Sequence, residues 1–423
     1  MEMNEISLTT NGTVSCSGNC TAYCIAASTA HYHMGVDHNK IEQDCRRVDD
    51  LNYKEANFDF NALEKTLDNF PFKKDGNIHV CLWGADPITA FQCLQEEVEF
   101  LEWWAQKNNR KVSISSSTNG YPLLRNDVCE YLKQHNVLTQ LSYDGIGQWM
   151  RTGEIDPLEF DNVKMLMKEG ILNCINLTLN QYNYSIAKNI YFMNDKLKSI
   201  FPDIYDKSKM ASEEESKLFK TLYIKMNHIY DGEYNSPVLN KEGRWQDTII
   251  EELKNTPIGD LSFHNGTNKW DKHVLDDYIA EWLELLYQYC DNGLRNVFFM
   301  PYRKYIIDQF KRGRNLKNKW GAEGNPCRQW QIGAIDYSYH IDTMGKFSDC
   351  NLIDGDTSVK NRSNDREKYC NECKDCKYTN SAECNMCGAM IPRAECEYYY
   401  RWNQFLDLSR KVMERNFGNN YKS

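Results

Sequence analysis

An α/β fold is predicted for this chain: a partial (β/α)6 barrel of the TIM type over residues 1–310, followed by a small cysteine-rich module over 327–396. Two observations predict it. Short β-type runs alternate with stretches of helical periodicity through the first 300 residues, the pattern of parallel strands covered by helices. Cysteines then crowd the last quarter of the chain, beyond a stretch rich in Gly, Asn and Lys. At 423 residues there is enough chain for one large domain plus a smaller unit.

Strands are expected at Glu5–Thr9, Asn77–Leu82, Lys111–Ser116, Val137–Ser142, Cys174–Leu179 and Leu222–Met226. The clearest helix is Ile88–Gln106, where Phe91, Leu94, Val98, Leu101 and Trp104 recur at helical spacing, with Pro87 in the first turn and Asp86 as N-cap. Six such repeats make a partial barrel whose function belongs at the C-terminal ends of its strands. Two polar segments, 183–220 and 231–272, read either as insertions lying over the barrel mouth or as plain solvated surface. Residues 311–326 form a linker, and 397–423 a closing helix, Tyr398–Arg415, with a polar tail. No repeat of solenoid period is present.

The 50 Lys and Arg against 60 Asp and Glu leave a net charge of −10, which argues against a broad basic face for nucleic acid. The first ten residues have neither the basic start nor the apolar run of a signal peptide, and no stretch approaches the roughly 18 apolar residues of a membrane span. A soluble, cytoplasmic protein with no membrane partner is expected.

In a chain without a secretory signal, clustered cysteines favour metal ligation over disulfides. Of the 17, Cys45, Cys81, Cys93, Cys129, Cys174 and Cys290 are scattered, most of them in apolar segments where the thiol acts as a small core group. Cys16, Cys20 and Cys24 stand together after the first strand. Three thiolates in a Gly-containing loop hold a [4Fe–4S] cube while leaving one iron without a protein ligand. The alternative is a small zinc knot completed by His31 or His33.

This loop resembles that of the radical S-adenosylmethionine superfamily, whose usual form is Cys-x3-Cys-x2-Cys with an aromatic residue before the last Cys. Tyr23 matches that aromatic; the second interval is one residue longer here. Trp83-Gly84-Ala85-Asp86-Pro87, after the second strand, is similar to the family's Gly-Gly-Glu-Pro, which implies contacts from Gly84, Ala85 and Asp86 to the methionine amino group. Thr118-Asn119-Gly120, after the third strand, matches the family's Thr-Asn-Gly turn. Ser142-Tyr-Asp144-Gly145, ending the fourth, looks like its Ser-x-Asp-Gly, with Arg151 following; the resemblance gives Ser142 and Arg151 the carboxylate and ribose end of the cosubstrate. Read without the family, Asp86-Pro87 is a helix start and Thr118–Gly120 a turn.

The last cysteines are Cys327, Cys350, Cys370, Cys373, Cys376, Cys384, Cys387 and Cys396, eight thiolates, enough for two further [4Fe–4S] clusters. Taken alone, the Cys370/Cys373 and Cys384/Cys387 pairs fit zinc ribbons equally well. Gly345-x4-Cys350 followed by Cys-x2-Cys pairs and a late single Cys is similar to the SPASM module, which carries auxiliary clusters in peptide- and protein-modifying enzymes, among them anaerobic sulfatase-maturating enzymes.

The resemblance implies reductive cleavage of S-adenosylmethionine to a 5′-deoxyadenosyl radical, hydrogen abstraction from a peptide or protein side chain, and a flavodoxin or ferredoxin-type electron donor. Alternatives are a small-molecule or nucleotide substrate on the same scaffold, and a non-catalytic zinc or iron–sulfur binding protein. With the first strand expected at Glu5, no leader-peptide-binding domain is expected ahead of the barrel, though a separate binding protein could supply one. His228, Tyr230 and Tyr302 lie near predicted strand ends, but no general base is assigned.

Overall fold

The computed structural model describes residues 5–9, 58–72, 77–83, 86–148, 151, 155–179, 183–202, 222–228, 272–294, 306, 307, 310, 340, 341, 344, 345, 347, 348 and 393–418. Strands β1 (Glu5–Thr9), β2 (Ile78–Trp83), β3 (Val112–Thr118), β4 (Leu138–Tyr143), β5 (Leu172–Leu179) and β6 (Tyr223–His228) pair in sequence order, every pair parallel. Helices α1 (Phe60–Asn69), α2 (Phe91–Lys107), α3 (Asn126–Gln134), α4 (Asp161–Glu169) and α5 (Ile186–Ile200) separate them, and α6 (Lys272–Asn292) follows β6. This is the expected partial (β/α)6 barrel. Beyond it, β7 (His340–Ile341) runs parallel to β1 and β8 (Phe347–Ser348) antiparallel to β7. A last helix, α7, spans Arg393–Phe417.

Alternation along the strands sorts the two faces. Ile78, Val80 and Leu82, then Ile114, Leu141, Tyr143, Ile175, Leu177 and Leu179, are buried in one core with Leu94, Val98 and Leu101 of α2 and with Val128, Leu132 and Leu166 of α3 and α4. The other face is polar. His79 and Cys81 stand on β2, Ser113, Ser115 and Ser117 on β3, Gln140 and Ser142 on β4, and Cys174, Asn176 and Thr178 on β5. Register puts Cys81 beside Ser115, Ser117 beside Gln140, and Ser142 beside Asn176. A sheet greasy toward its helices and hydroxyl- and amide-rich on its concave side is suited to hold a polar ligand in the barrel.

Two expectations need correction. The composition of 183–220 predicts an insertion over the barrel mouth or plain solvated surface, yet 186–200 are the barrel helix α5, with Ile186, Ile190, Met193 and Leu197 buried at helical spacing. Ser185 caps α5, and the Glu281 carboxylate of α6 accepts from Ser185 Oγ (2.7 Å) and from the backbone N–H of Ile186 and Ala187 (2.5 and 3.1 Å). An anion at the positive end of α5 thus fixes α6 against it. The second correction concerns α2, which starts at Phe91 with Ala90 as N-cap rather than at Ile88 with Asp86. Pro87–Thr89 make a separate turn, in which one Asp86 carboxylate oxygen meets the Thr89 N–H while the other is taken by Thr118 and Asn119.

Both described ends of the C-terminal segment dock on the barrel. Gly345, at the turn between β7 and β8 with φ +74°, lies so close to α1 that a Cβ there would sit 2.5 Å from the Ala62 carbonyl carbon, and its C=O accepts from Thr66 Oγ1 (2.6 Å). At the far end, Phe405 of α7 packs on Trp282 of α6 (ring centroids 5.9 Å) and Phe417 on Tyr289 (5.6 Å), with Arg401 paired to Asp276. The linker 311–326 and the rest of both polar segments lie outside the described residues.

Candidate active site at the C-terminal strand ends

Four of the seven residues predicted to bind the cosubstrate are described: Asp86, Asn119, Ser142 and Arg151. All stand at the C-terminal end of the sheet, on or after β2, β3 and β4. Tyr23, Gly84 and Ala85 lie outside the described residues, as do Cys16, Cys20, Cys24, Cys327, Cys350, Cys370, Cys373, Cys376, Cys384 and Cys387. Cys396 falls in the first turn of α7. Of the side chains near strand ends, His228 is the last residue of β6; Tyr230 and Tyr302 lie outside the described residues.

Asp86 is 1% exposed and clamps two loops. Its Oδ2 accepts from Thr118 Oγ1 (3.0 Å) and the Asn119 N–H (2.9 Å), and its Oδ1 from the Thr89 N–H (3.3 Å). The Thr-Asn-Gly turn is held in the same way: Thr118 Oγ1 accepts from the Gly120 N–H (3.1 Å) and Asn119 Oδ1 from the Tyr121 N–H (3.0 Å). Burial pushes the Asp86 carboxyl up to about 6, outweighing the donors that pull it down. A group poised this way gains from a cation set beside it.

The next strand end is organised around a buried ion pair. Arg151 donates from Nε (3.1 Å) and Nη2 (2.8 Å) to Asp144 Oδ1, and from Nη2 to Thr178 Oγ1 (3.2 Å). The Asp144 side chain is 0% exposed and that of Arg151 9%. Ser142, one step down β4, is half-buried on the concave face beside Asn176, whose Oδ1 is buried with no hydrogen-bond partner among the described residues. Deeper in the barrel both ring nitrogens of His79 meet hydroxyls, Nδ1 with Ser113 Oγ and Nε2 with Ser115 Oγ, each at 3.0 Å. The Ser-x-Ser-x-Ser run of β3 was the available sign of this polar wall, since every second residue of a strand shares a face.

Of the scattered cysteines, Cys93, Cys129 and Cys174 are buried, and Cys81 and Cys290 half-buried; burial drives the Cys129 thiol up to about 12, which suits an inert core group. Cys45 lies outside the described residues. Among the described residues, no three His, Cys, Asp or Glu side chains are placed to hold a metal ion, and no helix is long and apolar enough to cross a membrane.

No family model matches the sequence, and no curated protein does. Solved structures do match the fold. The chain is similar to native anSMEcpe with bound AdoMet, at a TM-score of 0.53 and 14% identity over 98% of this chain and 100% of that one. A hexahistidine-tagged anSMEcpe with bound AdoMet gives 0.52 and 14%, over 99% of this chain and 97% of that one. Native anSMEcpe with bound AdoMet and Cp18Cys peptide gives 0.50 and 15%, over 99% of both. At this identity the likeness is one of architecture, and it runs nearly end to end: the chain has the fold of anSMEcpe.

Proposed function

We propose that the protein is a radical S-adenosylmethionine enzyme acting on a peptide or protein side chain. One observation carries the reading. The three family-like sequences after β2, β3 and β4 come together at one end of a parallel barrel, where they build buried, oriented polar groups. The fold is that of anSMEcpe, an anaerobic sulfatase-maturating radical S-adenosylmethionine enzyme whose solved structures hold AdoMet and, in one, the Cp18Cys peptide as well.

The described residues fit the cosubstrate. A buried carboxyl with its pKa lifted suits the α-ammonium, the Arg151 guanidinium suits the carboxylate, and Ser142 with the buried Asn176 Oδ1 offers polar contacts between strands β4 and β5. The donor set Cys16, Cys20 and Cys24 suits a [4Fe–4S] cluster with one open iron. When bound, that cluster supplies the electron that splits the sulfonium into methionine and a 5′-deoxyadenosyl radical, which takes a hydrogen atom from the substrate. The chain's own part is to hold Asp86 and Arg151 rigidly at the strand ends and to line the barrel with neutral hydroxyls and amides. A flavodoxin or ferredoxin-type protein is the proposed electron donor. The eight later cysteines, Cys327 to Cys396, are proposed to hold auxiliary clusters.

Anaerobic reconstitution tests the reading. About twelve irons per chain, as three four-iron clusters require, and 5′-deoxyadenosine formed with dithionite are expected. The Cys16/Cys20/Cys24→Ala variant should lose about four irons and all turnover. Bound zinc with no 5′-deoxyadenosine under any reductant would leave a metal-binding protein instead.

Asp86 adds a pH signature. An ammonium needs the carboxylate charged, so affinity for S-adenosylmethionine should rise about tenfold per pH unit up to about pH 6 and then level off. Stability moves the other way: the native state keeps a proton that the unfolded chain releases above 3.8, so this group's contribution falls between pH 3.8 and about 6. Equilibrium binding across pH 5–8 checks the first, and the step should vanish in Asp86→Asn.

A further inference from the structure

Two asparagines join the ends of β4 and β5. Asn189 of α5 is 0% exposed; its Oδ1 accepts from the Ile146 N–H (3.0 Å), and its Nδ2 donates to the carbonyls of Asn183 (2.6 Å) and Ser185 (2.7 Å). Asn183, 1% exposed, donates from Nδ2 to the carbonyls of Asp144 (2.7 Å) and Thr178 (2.9 Å). Burying two primary amides is costly unless each bond is made. Helix α5 does not need most of them, because Ser185 already caps it. Two of them, from the Ile146 N–H to Asn189 and from Asn183 to the Asp144 carbonyl, instead reach across to the loop after β4.

That loop carries Asp144. Its carbonyl is held by Asn183 and its N–H by Gln148 Oε1 (2.8 Å), so its carboxylate stands on an immobilised backbone. The carboxylate in turn takes the Nε/Nη2 edge of Arg151, and Thr178, whose carbonyl Asn183 also holds, takes Nη2 through its hydroxyl. Gly145, at φ +59°, admits the arrangement: a Cβ there would lie 1.9 Å from Asn189 Oδ1.

We propose that Asn183 and Asn189 are positioning residues for S-adenosylmethionine, acting through Asp144 and Thr178 on Arg151. This rests on the reading of Arg151 as a cosubstrate contact. Neither asparagine touches the reacting atoms. Their work is to keep the guanidinium where the ligand's anionic end arrives, the kind of supporting shell without which a binding group is present but misplaced.

The test uses the full chain, reconstituted without oxygen. Asn183→Ala should weaken S-adenosylmethionine binding about tenfold or more by equilibrium dialysis and raise its KM in parallel, with kcat moved less than about threefold and iron content unchanged. In an Arg151→Ala background the same change should add almost nothing, since the two act in series. Thr178→Val, which removes one acceptor without changing shape, should weaken binding several-fold, and Thr178→Ser should restore it; this pair carries the test if Asn183→Ala does not fold. A lowered Tm with unchanged affinity, or additive effects in the double variant, would overturn the proposal and leave a purely structural role. A parent protein that binds no S-adenosylmethionine overturns the reading beneath it, a result distinct from a parent that binds and variants that bind equally well.

Discussion

Arg151→Ala is expected to cost the barrel about 3–5 kcal/mol, the usual result of removing one partner of a buried pair, and to abolish turnover of S-adenosylmethionine. The magnitude follows from what is left behind. Asp144 is fully enclosed, its backbone is pinned at both polar atoms, and Arg151 is the cation paired with its carboxylate. With the guanidinium gone, the enclosed carboxylate loses the cation it is paired with. The double variant Arg151→Met with Asp144→Leu should be distinctly more stable than Arg151→Ala, because the stranded charge leaves with its partner. It should still be inactive. Denaturant midpoints at pH 7 beside 5′-deoxyadenosine assays separate the two effects. A single variant within about 1 kcal/mol of the parent would mean that water reaches the pair and the site is not closed as described.

Much of the framework is legible in the sequence because strands and helices announce themselves locally. The expected β1 has its observed bounds, and the other five barrel strands fall within about two residues of theirs; Phe91, Leu94, Val98, Leu101 and Trp104 are all buried on α2. The two errors have different causes, a long-range partner in one and a masked local pattern in the other. Asp86-Pro87 has the form of a helix start, but the carboxylate meets Thr118 and Asn119 more than thirty residues away, and α2 begins later. The Asn- and Lys-rich face of α5 masks its stripe of Ile186, Ile190, Met193 and Leu197. Asn183 cannot be singled out from sequence, because its partner carbonyl at Asp144 is 39 residues away and no spacing rule links a loop amide to it. Asp86 and Arg151, by contrast, are visible through family-like neighbours, and both are buried at the C-terminal end of the sheet.

Glu97→Leu should do the opposite of Arg151→Ala and stabilise the protein, by about 1–3 kcal/mol at pH 8. Glu97 lies mid-way along α2, fully buried, with neither carboxylate oxygen hydrogen-bonded among the described residues. On a helix it shares its face with Ala90, Cys93, Leu101 and Trp104, all buried. Desolvation, helped by the neighbouring Glu96 charge, pushes its pKa well above the ordinary value of 4.5. The native state therefore keeps a proton that the unfolded chain gives up, and stability falls as pH rises through and beyond about 4.5. The leucine has no proton to lose, so the gap between variant and parent should widen from pH 5 to pH 8; a constant gap would mean that the carboxyl finds a partner in solution. Affinity for S-adenosylmethionine should be unchanged, since Glu97 stands inside α2 and takes no part in the Asp86 clamp. Two of the barrel's buried carboxylates thus have opposite consequences. Asp144 has its counter-ion and orients the proposed binding group, so losing the pair should damage both fold and site. Glu97 has no counter-ion among the described residues, and removing its charge should leave the site as it was and the fold stronger.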